Sequence, residues 1–199
     1  ERLRYISHYP DVTNDDVMNT IADVYGIEKD SILLGNGAAE LIYAVGRLSG
    51  FTGAFVPAPG FSEYQASMDA ANIPVREIFY RQRQNDDGTP YFEVPYLALQ
   101  TFAAELKGQD GRIIVFLGNP NNPDGTLLDK QSINILAQML KDANSLLVID
   151  ESFIDFIGDE SLRDNSYSMR ELINQYDNVI IISPPVSSHN SSCCPSGEE

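Results

Sequence analysis

Cysteine is nearly missing from this chain. Its 199 residues hold two, Cys193 and Cys194, side by side. Adjacent cysteines cannot staple a fold and match no zinc-ligand spacing. The 192 residues before them contain none, which argues against a secreted disulfide scaffold. Basic residues are also scarce: 13 Lys and Arg face 29 Asp and Glu, a formal charge of −16. A field of that sign repels phosphate backbones and anionic headgroups. Neither nucleic acid nor a membrane surface is an expected partner, although a small anionic ligand can still be held by local N–H groups. No apolar run approaches the roughly 20 residues that span a bilayer, and no signal peptide is visible. No histidine cluster points to a metal, and none is expected. The chain opens on Glu1; it is read as cytoplasmic and incomplete at its start.

What is present suits one packed domain. The hydrophobic fraction is 43% and the charged fraction 21%, ordinary for a globular protein and too apolar for disorder as the main state. Apolar runs alternate with helical periods. Helices are expected over Asp16–Tyr25, stopped by Gly26, over Ala38–Leu48, from a Ser62 cap to Ala71, from Pro95 to Lys107, after an Asp129 cap with Ile133, Leu136 and Leu140 inward, and over Ser168–Tyr176. Strands are expected at Ala54–Val56, Val75–Phe79, Ile113–Leu117, Leu146–Ile149 and Val179–Ile182, with a short extended run at Ile32–Leu34. Residues Arg81–Tyr91 read as a polar loop or hairpin with an Asp87-Gly88 turn. Continuous apolar strands are buried on both faces. With helices between them they predict an α/β fold, a three-layer α/β/α sandwich around a mostly parallel sheet. From Ser183 the sequence turns to SPPVSSHNSSCCPSGEE, with no helical period where a crossover is due. Residues 1–182 are therefore taken as the domain, and 183–199 as a disordered tail or sequence foreign to the fold.

In parallel sheets, ligands gather at the carboxyl ends of the strands, and four such segments stand out. Leu34-Gly35-Asn36-Gly37-Ala38-Ala39-Glu40 is a glycine-rich turn entering a helix; free N–H groups at Gly37, Ala38 and Ala39 would hold a phosphate, or the segment is a plain helix start. Pro59-Gly60-Phe61-Ser62-Glu63-Tyr64 follows a strand, and Phe61 either stacks on a flat ring or is a core aromatic. Asn119-Pro120-Asn121-Asn122-Pro123-Asp124-Gly125 combines two X-Pro steps with a glycine, a constrained loop that aims the Asn121 and Asn122 amides. Asp150 ends a buried strand, where a carboxylate wants a cationic partner or hydrogen-bond donors. A protonated ring nitrogen would serve; a metal is the competing reading.

These four segments in this order resemble the fold type I family of pyridoxal-phosphate enzymes, aminotransferase class I/II, over roughly Tyr5 to Ile182. The phrases APGFSEY and DESFIDFIG are most similar to its threonine-phosphate decarboxylase branch, which serves cobalamin biosynthesis, with histidinol-phosphate aminotransferases as close relatives. The resemblance implies an incomplete cofactor-binding large domain with pyridoxal 5'-phosphate as cofactor, an amino-acid phosphate as substrate, and a homodimer. It implies that Asp150 binds the ring nitrogen, Asn122 the ring 3-oxygen, Phe61 the ring face, and Gly37, Ala38 and Ala39 the cofactor phosphate. Tyr9, in His8-Tyr9-Pro10-Asp11, matches a tyrosine that reaches the neighbouring subunit's cofactor phosphate.

Two departures from the family pattern matter. Many aminotransferases carry a tyrosine three residues after the aspartate; here that position is Phe153, as the decarboxylase pattern allows. The Schiff-base lysine is expected shortly after the strand ending at Ile182, yet the lysines of this chain are Lys29, Lys107, Lys130 and Lys141. The chain is thus expected to be a truncated piece, inactive alone, of a decarboxylase or aminotransferase, or a non-catalytic remnant that binds the cofactor.

Overall fold

The computed structural model describes residues 13–94, 101, 111–157 and 167–184. The chain divides into two compact units. In the first, α1 (Asp15–Tyr25) ends at Gly26, whose φ of 63° is the left-handed conformation that a helix C-terminus favours. An ion pair from Lys29 to Asp15 ties the following 3-10 turn, Lys29–Ser31, to the start of α1. Val17 and Val24 are exposed, and Ile32–Leu34 is extended chain outside any strand.

The second unit is a five-stranded parallel sheet. Its strands are β1 (Phe51–Ala58), β2 (Val75–Phe79), β5 (Arg112–Gly118), β6 (Leu146–Asp150) and β7 (Val179–Ile182), in spatial order β2-β1-β5-β6-β7. Two separate strands, β3 (Arg81–Gln84) and β4 (Pro90–Glu93), form an antiparallel hairpin. Its turn is made by Gly88 at φ 84° and by the Asp87 carboxylate, which accepts from the Thr89 N–H at 2.8 Å.

The continuous apolar runs are explained by two cores, one on each sheet face. Ile113, Val115, Leu117, Leu147 and Ile149 pack with Ile133, Leu136, Ala137 and Leu140 of α4 (Lys130–Asp142). The alternate residues Ile114, Phe116, Leu146 and Val148 pack with Ile42 and Val45 of α2 (Ala38–Gly46) and with Tyr64 and Met68 of α3 (Ser62–Ala70). A parallel strand covered by helices above and below has no polar face. This is the expected three-layer α/β/α sandwich. The inward residues of α4 recur at i, i+3, i+4 and i+7, and each fully buried Leu there contributes about 1.5–3 kcal/mol. Its N-cap Asp129 accepts from the Ser132 N–H at 2.8 Å.

Three local expectations are corrected. Ser62 does not cap α3: the N-cap is Phe61, and no side chain bonds there. Helix α2 stops at Gly46, leaving Leu48 exposed. The Ser168–Tyr176 helix is a 3-10 turn over Arg170–Asn174. The Ser168 hydroxyl and the Met169 N–H donate to the buried Glu151 carboxylate, which ties this turn to the residue after β6. The expected Pro95–Lys107 helix lies outside the described residues except at Thr101, which is helical; the tail from Pro185 onward also lies outside them.

Candidate functional site

Sheet order fixes where a ligand can enter. From β1 the chain crosses through α3 to β2 on one side, then returns to β5 on the other and proceeds to β6 and β7. The reversal between β1 and β5 is a topological switch point, where the loops beyond the strand ends diverge and leave a crevice. The loops bordering it are Pro59–Phe61 and Asn119–Gly125.

The Asn119–Gly125 loop is held by its own side chains. Asn121 is buried, and its Nδ2 donates across the crevice to the Pro59 carbonyl at 3.0 Å and to Asp124 Oδ1 at 2.8 Å. Asp124 Oδ1 also accepts from the Thr126 N–H at 3.0 Å, and Asn119 Oδ1 accepts from the Leu128 N–H at 2.8 Å. Gly118 is required beneath this loop, since a Cβ there would lie 2.9 Å from Asn121 Cα. Asn121 thus works inward, while half-buried Asn122 makes no hydrogen bond among the described residues. Asn122 lines an open cavity of about 440 Å³ with Pro120, Pro123, Leu127, Phe153 and Phe156.

Asp150 is the last residue of β6, in register with Gly118 on β5 and Ile182 on β7. Its carbonyl accepts from the Asn119 N–H at 2.8 Å, joining this strand end to the loop. Its side chain is buried and follows Leu146 and Val148 onto the α2/α3 face. There Oδ1 accepts from the Ser152 N–H at 2.9 Å and from the Ser152 hydroxyl, and Oδ2 accepts from the Tyr64 hydroxyl at 2.9 Å. Tyr64 is stacked on Phe116, with ring centroids 5.0 Å apart, and meets Phe61 edge-on at 5.7 Å. Burial first, then the Asp150 charge, push the Tyr64 phenol well above its ordinary range. Tyr64 is therefore a neutral donor.

The adjacent Glu151 points to the opposite face. It accepts from Ser168 Oγ at 2.9 Å and from the Met169 N–H, with Arg170 Nε 3.8 Å away. Burial nonetheless pushes its carboxyl up, against the pull of those donors and of Arg170. The two carboxylates are thus not a metal-binding pair, and among the described residues no group of three or more His, Cys, Asp and Glu could hold a metal ion.

At the start of α2, Gly37 adopts φ 87°, ψ 168°, and no side chain caps the helix. Glu40 accepts instead from the Asn36 N–H and Nδ2. The N–H groups of the first turn are left to a ligand or to solvent. Phe61 is partly buried against the α2/α3 core. The structure brings Asp150, Tyr64 and Phe61 together, and Asn122 together with Phe153; Asp150, Phe61 and residues 37–39 do not line the Asn122 cavity. Tyr9 lies outside the described residues. Ser152 and Tyr64 escaped the sequence reading. Ser152, two residues after Asp150, had a local turn signal; Tyr64 is 86 positions away and had none.

As a donor and acceptor set, this edge suits a flat anionic cofactor. An ionised carboxylate offers about four lone-pair directions; Tyr64 and Ser152 use three at Asp150, leaving room for one N–H. An uncapped helix start suits a phosphate.

Comparison with known proteins gives a consistent set of matches. The family model described as aminotransferase class I and II matches residues 3–183. A Caldanaerobacter subterraneus subsp. tengcongensis protein, provisionally named threonine-phosphate decarboxylase, is 30% identical over 177 residues, covering 89% of this chain and 44% of that protein. The crystal structure of histidinol-phosphate aminotransferase from Clostridium acetobutylicum superposes with a TM-score of 0.69 at 25% identity, covering 91% of this chain and 48% of the other. Cystalysin from Treponema denticola, whose structure contains pyridoxal 5'-phosphate, has a TM-score of 0.68 at 15% identity, with 89% and 44% covered; at that identity the likeness is one of fold. The chain spans less than half the length of these proteins. No described helix is long and apolar enough to cross a membrane.

Proposed function

The chain belongs to the aminotransferase class I and II family, and from that premise we propose that its sheet edge binds pyridoxal 5'-phosphate for chemistry on an amino-acid phosphate, of the threonine-phosphate decarboxylase type. The observation that carries the reading is Asp150: a buried carboxylate at the carboxyl end of β6, hydrogen-bonded on both oxygens and with acceptor capacity to spare. When bound, the cofactor supplies an electron sink for charge developing at the substrate α-carbon. Asp150 accepts from the ring nitrogen and keeps its proton in place. Asn122 donates to the ring 3-oxygen, Phe61 covers a ring face, and the N–H groups of Gly37, Ala38 and Ala39 hold the phosphate. Tyr9 is assigned to the phosphate of a partner subunit's cofactor in a homodimer. In this reading residues 1–182 form the cofactor domain, with 183–199 outside it.

The decarboxylase branch is favoured over the histidinol-phosphate aminotransferases by Phe153, which brings no hydroxyl to the cavity it shares with Asn122. Lys29, Lys130 and Lys141 are paired with Asp15, Glu171 and Asp177, which supports surface roles for them. The test is a chimera in which this chain's residues up to Ile182 are continued with the remaining sequence of the Caldanaerobacter relative. Release of carbon dioxide from O-phospho-L-threonine is the expected result. Amino transfer from L-histidinol phosphate with no carbon dioxide released would overturn the assignment.

A further inference from the structure

We propose that Tyr64 is a positioning residue for the cofactor: its hydroxyl fixes the Asp150 carboxylate in the orientation that meets the ring nitrogen. The inference rests on the cofactor reading above and names a residue which that reading does not use.

A carboxylate at a strand end can swing about its terminal torsion, a broad two-fold rotation. The Ser152 N–H and hydroxyl both bond Oδ1, so they hold one oxygen and leave the other to pivot. Tyr64 bonds Oδ2 at 2.9 Å from a different element. Bonds to both oxygens, from α3 and from the turn after β6, define the carboxylate plane.

Tyr64 is itself well anchored. It is 2% exposed, stacked on Phe116 with 15° between the planes, and braced by the edge contact with Phe61. A tyrosine has two side-chain torsions, and both are fixed by this packing. Its phenol stays protonated, so it donates rather than repels. Phe61, the N-cap of α3, and Tyr64, in its first turn, are three residues apart and in edge-to-face contact. One short segment therefore carries both the residue assigned to the ring face and the residue that aims the carboxylate. A tyrosine wanted only for its volume could be a phenylalanine, and nothing in the Phe116 stack needs the hydroxyl.

The test is a double-mutant cycle on the full 199-residue chain, read as the affinity for pyridoxamine 5'-phosphate. This probe cannot form an imine with a lysine, so it reports only the non-covalent contacts. Tyr64→Phe keeps the ring and its stacking and deletes the hydroxyl; a thermal midpoint within a few degrees of the parent is expected. Tyr64→Phe should weaken binding about tenfold, Asp150→Asn about ten- to a hundredfold, and the double variant no more than Asp150→Asn alone. If Asp150→Asn weakens binding while Tyr64→Phe has no effect, or has the same effect in both backgrounds, Tyr64 is a core residue and the inference is wrong. If Asp150→Asn leaves affinity unchanged, the cofactor reading itself fails, and this inference falls with it.

Discussion

Replacing Asp150 by Asn changes one oxygen to an NH2 group and removes a charge, with almost no change in volume. The local consequences follow from its contacts. Asn Oδ1 can still accept from the Ser152 N–H, which lies 2.9 Å from the present Oδ1. The amide nitrogen then takes the place of Oδ2 and faces the Tyr64 hydroxyl, now 2.9 Å from that oxygen. A hydroxyl can accept as well as donate, so this contact survives with its direction reversed. Tyr64 also loses the neighbouring negative charge that adds to burial in holding its phenol up. The fold should therefore tolerate the change, with a stability shift within about 1 kcal/mol. Cofactor binding should not. A hydrogen bond to a charged partner is worth about 1.5–3 kcal/mol, and each 1.4 kcal/mol is about tenfold, so affinity for pyridoxamine 5'-phosphate should fall by about ten- to a hundredfold. Isothermal titration at neutral pH measures it directly, with circular dichroism as the check on folding. An unchanged dissociation constant in a folded variant would refute the assignment of Asp150 to the ring nitrogen.

Two further outcomes test the surrounding structure. Burial raises the Glu151 carboxyl, so the folded chain holds its proton to higher pH than the unfolded chain, and stability is lost as pH climbs from about 4.5 upward. Glu151→Gln removes that linkage, and urea unfolding from about pH 4 to about pH 8 should move progressively in the variant's favour; a pH-independent difference contradicts the buried-carboxyl account. Gly118→Ala puts a Cβ 2.9 Å from Asn121 Cα and 3.0 Å from its Oδ1, so the loop must shift; a loss of about 1–3 kcal/mol is expected in thermal unfolding, and an unaltered midpoint would mean the loop is less constrained than its hydrogen bonds indicate.

Much of this was legible in the sequence because the signals were local. The IIVFL run announced a strand covered on both sides, and Ile113, Val115 and Leu117 do face one core while Ile114 and Phe116 face the other. Asp87-Gly88 announced a hairpin because only a few residues take a positive φ cheaply. Asp129 announced α4 because its side chain serves the helix it starts. The misses were of another kind. The turn before Arg170–Asn174 is tied to Glu151, 17 residues before Ser168, which accepts from that serine's hydroxyl and from the Met169 N–H. The division of labour between Asn121 and Asn122 depends on the Pro59 carbonyl across the crevice. The Tyr64 bond to Asp150 joins α3 to β6. No periodicity or spacing encodes such contacts, since they exist only once the sheet order is set.

The central claim is that one sheet edge of this chain holds a pyridoxal-type cofactor through Asp150, Asn122 and the start of α2. The most direct measurement is a titration of the isotopically labelled 199-residue chain with pyridoxamine 5'-phosphate, followed by backbone amide resonances. The account predicts saturable shifts concentrated at Gly37, Ala38, Ala39, Asn122, Asp150 and Ser152, with α4 and the β3–β4 hairpin unmoved. Shifts centred elsewhere, or none up to millimolar cofactor, would contradict it.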